Sequence, residues 1–139
     1  MRIRKMLISD YSKVYDLWIS TPGIGLNDID DSRAGIEKYL RRNPNTCFVA
    51  EEKDSIIGSI LSGHDGCRGF IHHTAVCVSR RNKGVGHALV NHAISALEKE
   101  GISKVALVVF AENEGGNSFW ESEGFSARSD LIYRNKMTK

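Results

Sequence analysis

Apolar and polar positions change period twice along the chain. After a short strand-like opening, "RIRKML", the stretch "YSKVYDLWIS" carries Val14, Leu17 and Trp18 at helical spacing behind a cap at Ser9 or Asp10. A second helix is predicted over "SRAGIEKYLRRN" and stops at Pro44, since the residue ahead of a proline is pushed out of the helical region. Between the two lies a turn-rich, acidic loop, "TPGIGLNDIDD". The period then shortens. "TCFVAEE" and "SIIGSILSG" read as strands separated by the charged turn "KDS", "HDGCRG" gives another turn, and "FIHHTAVCV" a further strand. From Gly84 to Glu100 the helical period returns: Leu89, Val90, Ala93, Ile94 and Leu97 fall on one face, His87, Asn91, Ser95 and Glu98 on the other, and Gly101 ends the run. "KVALVVF" is almost continuously apolar, which predicts a strand covered on both faces. "GNSFWESEG" suits a short helix and "DLIYRNKM" a last strand. Hairpin strands passing into strand–helix–strand units predict an α/β (α+β) fold, a mixed sheet flanked by helices.

Composition narrows the function. A chain of 139 residues suits one domain, here 1–139, with a core of its own. Nineteen basic residues against 17 acidic leave a net charge of +2, which gives a nucleic-acid partner little support. No apolar run approaches the roughly 20 residues that span a bilayer, and the apolar part of "MRIRKMLISD" is too short for a signal peptide. Cys47, Cys67 and Cys77 are odd in number and lack C-x-x-C spacing, so neither a disulfide framework nor a zinc site is expected, and a reducing cytoplasm is. The five histidines are scattered, and no metal site is expected from them either.

One loop changes the picture. "CVSRRNKGVGHAL" joins a strand end to the first turn of a helix through Gly84 and Gly86, with Arg80, Arg81 and Lys83 supplying charge. Successive amides in a glycine turn, backed by a helix N-terminus, form an anion site. The dinucleotide fingerprint G-x-G-x-x-G fails, because Leu89 stands at the third glycine, and no G-x-x-x-x-G-K-[ST] occurs anywhere. What fits is R-x-x-G-x-G, in Arg81, Gly84 and Gly86.

That pattern, after "TAV" and before "HALV", resembles the acetyl-CoA motif of the GNAT (GCN5-related N-acetyltransferase) superfamily. "NEGGNSFWESEGF" is similar to the family's second block, with Asn113 on its asparagine, Phe119 on its apolar position and Gly124–Phe125 on its closing pair. The resemblance covers nearly the whole chain. It implies a mostly antiparallel mixed sheet with about four helices, and acetyl-CoA as co-substrate. The amides of Arg81, Asn82, Lys83, Gly84, Val85 and Gly86 would hold its pyrophosphate. The backbone of Thr74, Ala75 and Val76 would pair with the pantetheine arm and polarise the thioester, with Asn113 and Trp120 completing the cofactor set. The acceptor would be a small-molecule or protein amine, and small members often form homodimers. Two residues depart from the pattern. Gly116 replaces an alanine, which loosens a helix start. Trp120 stands where many members carry a tyrosine that protonates the departing thiolate, and an indole N–H is a donor but not an acid. A thiol with a pKa of about 8.5 leaves as a fairly stable thiolate without one, and Tyr133, Tyr11 or water are substitutes. A non-catalytic acyl-CoA sensor with the same fold is the alternative.

For the base the chain offers His72 and His73, of which strand alternation sends one into the cleft. His72 is expected to share a face with Thr74 and Val76, and some family members have a histidine at that offset. A pKa near 6.5 suits such a base. The plain alternative is a pair of hydrogen-bonded strand residues. Another place where the family puts a base falls here on Val108. Arg80 reads as solvated, Cys77 as a packing residue, and Asn113 equally as a helix cap. Asp28, Asp30 and Asp31 would attract a cationic amine; alternatively Asp30, Asp31 and Ser32 simply start the second helix.

Overall fold

The computed structural model describes residues Met1–Thr138. Strand β1 (Arg2–Lys5) leads through a 3-10 turn to α1 (Tyr11–Ile19) and α2 (Arg33–Arg42). Strands β2 (Phe48–Glu52), β3 (Ser55–His64) and β4 (Gly69–Val76) follow, then α3 (Val85–Lys99), β5 (Val105–Leu107) and α4 (Glu114–Ser122). The five strands lie in sequence order in one sheet; every neighbouring pair is antiparallel except β4 and β5, which α3 connects in parallel.

The sheet separates two apolar layers. On one side Val14, Leu17 and Trp18 of α1 and Ile36 and Leu40 of α2 pack on Val49, Leu61 and Ala75. On the other, Val85, Leu89, Val90 and Ala93 of α3 pack on Phe48, Ala50, Ile60 and Ile71, with Phe119 and Trp120 of α4 partly buried beside them. These are the positions that the helical period selects.

Strand β4 is irregular at its middle. Gly69, Phe70 and Ile71 oppose His64, Gly63 and Ser62, whereas Thr74, Ala75 and Val76 oppose Ile60, Ser59 and Gly58. A single β3 residue, Leu61, therefore faces both His72 and His73, which is a β-bulge. Its effect shows in the core: Ile71 packs on the α3 side, while Ala75, which unbroken alternation would leave on the same side, packs under α1 and α2. The bulge also bends β4 away from its neighbour, as bulges do. Pairing with β5 covers only Gly69–Ile71 against Val105–Leu107 and then stops, so the two strands open into a cleft.

Two expectations fail on the far edge. "KVALVVF" is not covered on both faces: only Val105–Leu107 forms a strand, Ala106 is exposed, and Val108 and Phe110 are 54% and 62% exposed. One face of β5 meets Leu97 and Ile102 through the α3 layer, whereas the other looks into the cleft. The expected last strand over "DLIYRNKM" does not form either. Its apolar residues Leu131, Ile132 and Tyr133 are consecutive, so no one face collects them, and β5 offers an edge only three residues long. All three stay exposed.

Candidate active site

The cleft between the diverging strands is bounded by β4, β5, the starts of α3 and α4 and the loop joining α1 to α2, and continues as an open groove past the end of α3 and the segment 131–135. Its donor end is the loop after β4. A 3-10 turn over Val78–Arg80 is followed by Asn82 and Gly84, both at positive φ (61° and 81°). These two left-handed residues turn the chain so that the amides from Asn82 to His87 point outward. Among the described residues none of these amides has a backbone acceptor, and the first helical bond is Ala88 N–H to Gly84 O at 3.0 Å. Free amides at a helix start, under its positive dipole end, favour a phosphate group. Gly84 and Gly86 have separate reasons to be glycine. Gly84 needs the left-handed conformation and has open space around it, whereas a Cβ on Gly86 would stand 3.0 Å from the Phe119 ring.

The basic residues of this loop differ in availability. Arg81 is exposed and borders the cleft. Arg80 is committed to Glu52, at 2.7 and 2.9 Å, rather than merely solvated. Lys83 is exposed outside the cleft lining. His87 faces the cleft and meets Glu123 at 2.9 Å, tying α3 to the end of α4.

Along β4, Cys77 N–H donates to Ile57 O at 2.8 Å. Antiparallel bonding alternates by residue, so Ala75 is turned to Ser59, and the N–H and C=O of Thr74 and Val76 point away from β3, where no β5 partner remains. Thr74 and Val76 accordingly line the cleft, and Ala75 lies buried in the α1–α2 core. The Thr74 hydroxyl is buried without a hydrogen-bond partner among the described residues.

The bulge brings both histidines to the cleft, not one, and places them on the face opposite Thr74 and Val76. Periodicity alone holds no signal for this. His72 stands with its ring centroid 4.7 Å from Phe70 and 5.3 Å from Tyr39, edge-on to the latter. Loss of solvation in this aromatic setting lowers its pKa below the ordinary 6.5; His73 adds to the effect, and Asp31 and Asp30 oppose it. The shift favours the neutral imidazole, although the residue as a whole is exposed. His73 Nε2 lies 2.7 Å from Asp31 Oδ1, and its ring rests on Trp18 at 4.9 Å. Asp31 is thus occupied by the sheet and does not cap α2; Ser32 does, its Oγ accepting the Gly35 amide at 3.1 Å.

At the start of α4, Asn113 Oδ1 accepts the Gly116 amide at 2.9 Å, so this residue caps its helix while its amide end borders the cleft. A Cβ on Gly116 would meet that side chain at 2.6 Å, so glycine here lets the cap sit close. Trp120 packs edge-on between Phe119 and Phe125 and lines the cleft with one side. Cys77 is half-buried between the two cores, and a hydrogen bond with Ser79 lowers its thiol pKa.

Amide nest, opened strand pair and flanking helices together define an acetyltransferase-type domain. The sequence profile of the acetyltransferase (GNAT) family matches residues 11–125, and the chain belongs to this family. An acetyltransferase of Sodalis glossinidius is 28% identical over 136 residues, covering 98% of this chain and 94% of its own length. Ard1 from Thermoplasma volcanium shares the fold with a TM-score of 0.81 at 23% identity, over 92% of this chain and 84% of that one. The PaiA N-acetyltransferase from Thermoplasma acidophilum, solved in complex with coenzyme A, does so with a TM-score of 0.80 at 19% identity, over 91% and 90% of the two chains. Among the described residues no helix is long and apolar enough to cross a membrane, and no three His, Cys, Asp or Glu side chains converge as a metal site would require.

Proposed function

We propose that this chain, as one catalytic domain over 1–139, moves an acetyl group from acetyl-CoA to a primary amine by direct attack within a ternary complex. The observation that carries this reading is the run of uncommitted amides from Asn82 to His87 at the start of α3, opening onto the unpaired edge of β4. These groups fit coenzyme A: the nest and Arg81 would hold its pyrophosphate, and the outward amides of Thr74 and Val76 its pantetheine arm. When bound, the co-substrate supplies the thioester. The chain supplies the rest. An amide on β4 aimed at the acetyl oxygen stabilises the charge that develops there. His72, whose pKa is lowered toward the neutral form, would take the proton of the attacking amine, directly or through one water, as the thiolate of coenzyme A leaves. Family membership and the coenzyme A complex of the PaiA enzyme support this reading. Three free cysteines support a reducing, cytoplasmic setting.

Calorimetry with coenzyme A tests the donor site. Arg81→Ala is expected to weaken binding about tenfold, the cost of one charge-assisted hydrogen bond; unchanged affinity refutes the placement. A panel of small-molecule amines and peptide amines, read by thiol release and product mass, tests transfer. Trp120, in place of a phenolic acid, favours a second reading as a non-catalytic acyl-CoA sensor. Tight coenzyme A binding with no thiol release for any amine decides for the sensor.

A further inference from the structure

The loop joining α1 to α2 closes one side of the cleft and is braced from within. Asn27 Oδ1 accepts the amides of Ile29 and Asp30 at 2.8 and 2.9 Å, and the Asn27 amide donates to Asp31 Oδ2 at 2.7 Å. The Tyr11 hydroxyl donates to the Asp31 carbonyl at 2.7 Å. At the loop's other end Gly23 passes so close to Asn113 that a Cβ would stand 2.8 Å from Nδ2, and a Cβ on Gly25 would meet the Phe110 ring at 3.1 Å. Ile24 and Leu26 seat the loop on the α1–α2 core by apolar contact, and these near-contacts set how closely it lies.

Among the described residues, one hydrogen bond ties this loop to the sheet: Asp31 Oδ1 to His73 Nε2 at 2.7 Å, with side chains 9% and 16% exposed. Burial acts to raise the Asp31 pKa, yet His73 and the Asn27 amide outweigh it and hold the carboxyl below its usual range. An ionised carboxylate only accepts, so it fixes His73 as the Nε2–H donor. Trp18 supports the ring from below and is itself anchored by its Nε1–H to Ser59 Oγ at 3.2 Å. His73 comes within reach of Asp31 because the bulge turns it to the α1–α2 face. The strand runs from the histidines toward the amide nest, so the loop covers the end of the cleft remote from the phosphate site, where an acceptor enters.

We propose that Asp31 and His73 form a latch that holds the α1–α2 loop over the acceptor end of the cleft, and that both act as positioning residues for the incoming amine rather than as proton carriers. The acceptor part of this inference rests on the acetyltransferase reading; the latch itself is measurable without turnover. His73→Leu breaks the bond, and His73→Gln keeps an N–H donor at the place of Nε2 while removing the imidazole. Amide hydrogen exchange across residues 22–31 is expected to quicken about tenfold to hundredfold in His73→Leu, the factor carried by a lost hydrogen bond to a charged group, and to stay near wild type in His73→Gln. Unchanged exchange in His73→Leu overturns the latch, whatever the protein catalyses. With an amine that wild type acetylates, His73→Leu should raise the acceptor KM while the coenzyme A dissociation constant stays put, and His73→Gln should restore that KM. Turnover lost in His73→Gln as fully as in His73→Leu overturns the positioning role and makes His73 a proton carrier. Absence of transfer by wild type to every amine refutes the acetyltransferase reading and leaves the exchange result to decide the latch.

Discussion

Phe119 of α4 packs against the bare Cα of Gly86 in α3, its ring 3.0 Å from the point where a Cβ would stand. The second glycine of the loop is therefore a packing requirement in its own right. Gly86→Ala should push α4 outward at a cost of about 1–3 kcal/mol, as overpacking does, and should weaken coenzyme A by moving the amides of the first helical turn. Gly84→Ala meets no atoms but strains a left-handed residue, at about 1 kcal/mol. Urea unfolding of both variants tests the distinction; a Gly86→Ala protein as stable as wild type refutes the packing role.

The Thr74 hydroxyl, buried and unpartnered, costs the free protein stability. Thr74→Val keeps the shape and removes the orphan group, so unfolding in the absence of any acyl donor should become harder by about 0.5–1 kcal/mol. A loss of stability would show that the hydroxyl has a partner in solution.

His72, as the proposed base, should make both turnover and stability depend on pH. Its pKa is lowered in the fold, so between that value and the ordinary 6.5 the unfolded chain binds more protons than the folded one. Stability contributed by the neutral ring is full above about pH 6.5 and is lost as pH falls toward the folded value. The acid limb of the rate profile should likewise lie below pH 6.5. His72→Ala should remove that limb and lower turnover by roughly 10²–10⁴-fold. A variant with wild-type rates and profile dismisses His72 as the base.

A second titration lies far from the cleft. Arg4 grips Asp10 with two hydrogen bonds, at 2.8 and 2.9 Å, while Asp10 also accepts the Leu7 amide at 2.8 Å. The Arg4 guanidinium holds the Asp10 carboxyl below its ordinary range against the effect of burial. This contribution is present above about pH 4 and fades as pH falls through the lowered value. Asp10→Ala should cost about 2–3 kcal/mol at neutral pH and less in acid. Unfolding curves at pH 7 and pH 3 check this; an equal loss at both refutes the ionic origin.

Period and punctuation in the sequence marked most of the scaffold. Leu89, Val90, Ala93 and Leu97 are all buried on α3, as their spacing requires, and α2 ends at Arg42, ahead of Pro44. The glycine-and-arginine loop sits where the sequence places it, because its chemistry is local: two residues at positive φ and a helix start are written within a few positions. What was not legible depends on pairing. The β4 bulge arises from how β3 and β4 register, and nothing in "FIHHTAV" distinguishes a bulged strand from a regular one. Asp31 read as a helix-start residue or a lure for cations because its partner lies 42 positions away. The failure of "DLIYRNKM" to form a strand likewise follows from the shortness of the β5 edge, a property of another segment.

Strand β4 is one residue longer than the stretch of β3 it spans, and that surplus decides which residues look inward. Losing either His72 or His73 altogether would do more than remove an imidazole. The ladder would run flush while every other residue kept its face, Ile71 and Val76 toward α3 and Ala75 toward α1 and α2. Replacement at these two positions keeps the bulge; deletion removes it and leaves one side chain where two now share a face. The surplus residue is what lets two imidazoles stand side by side on one face, one against Phe70 and Tyr39 and the other on Asp31.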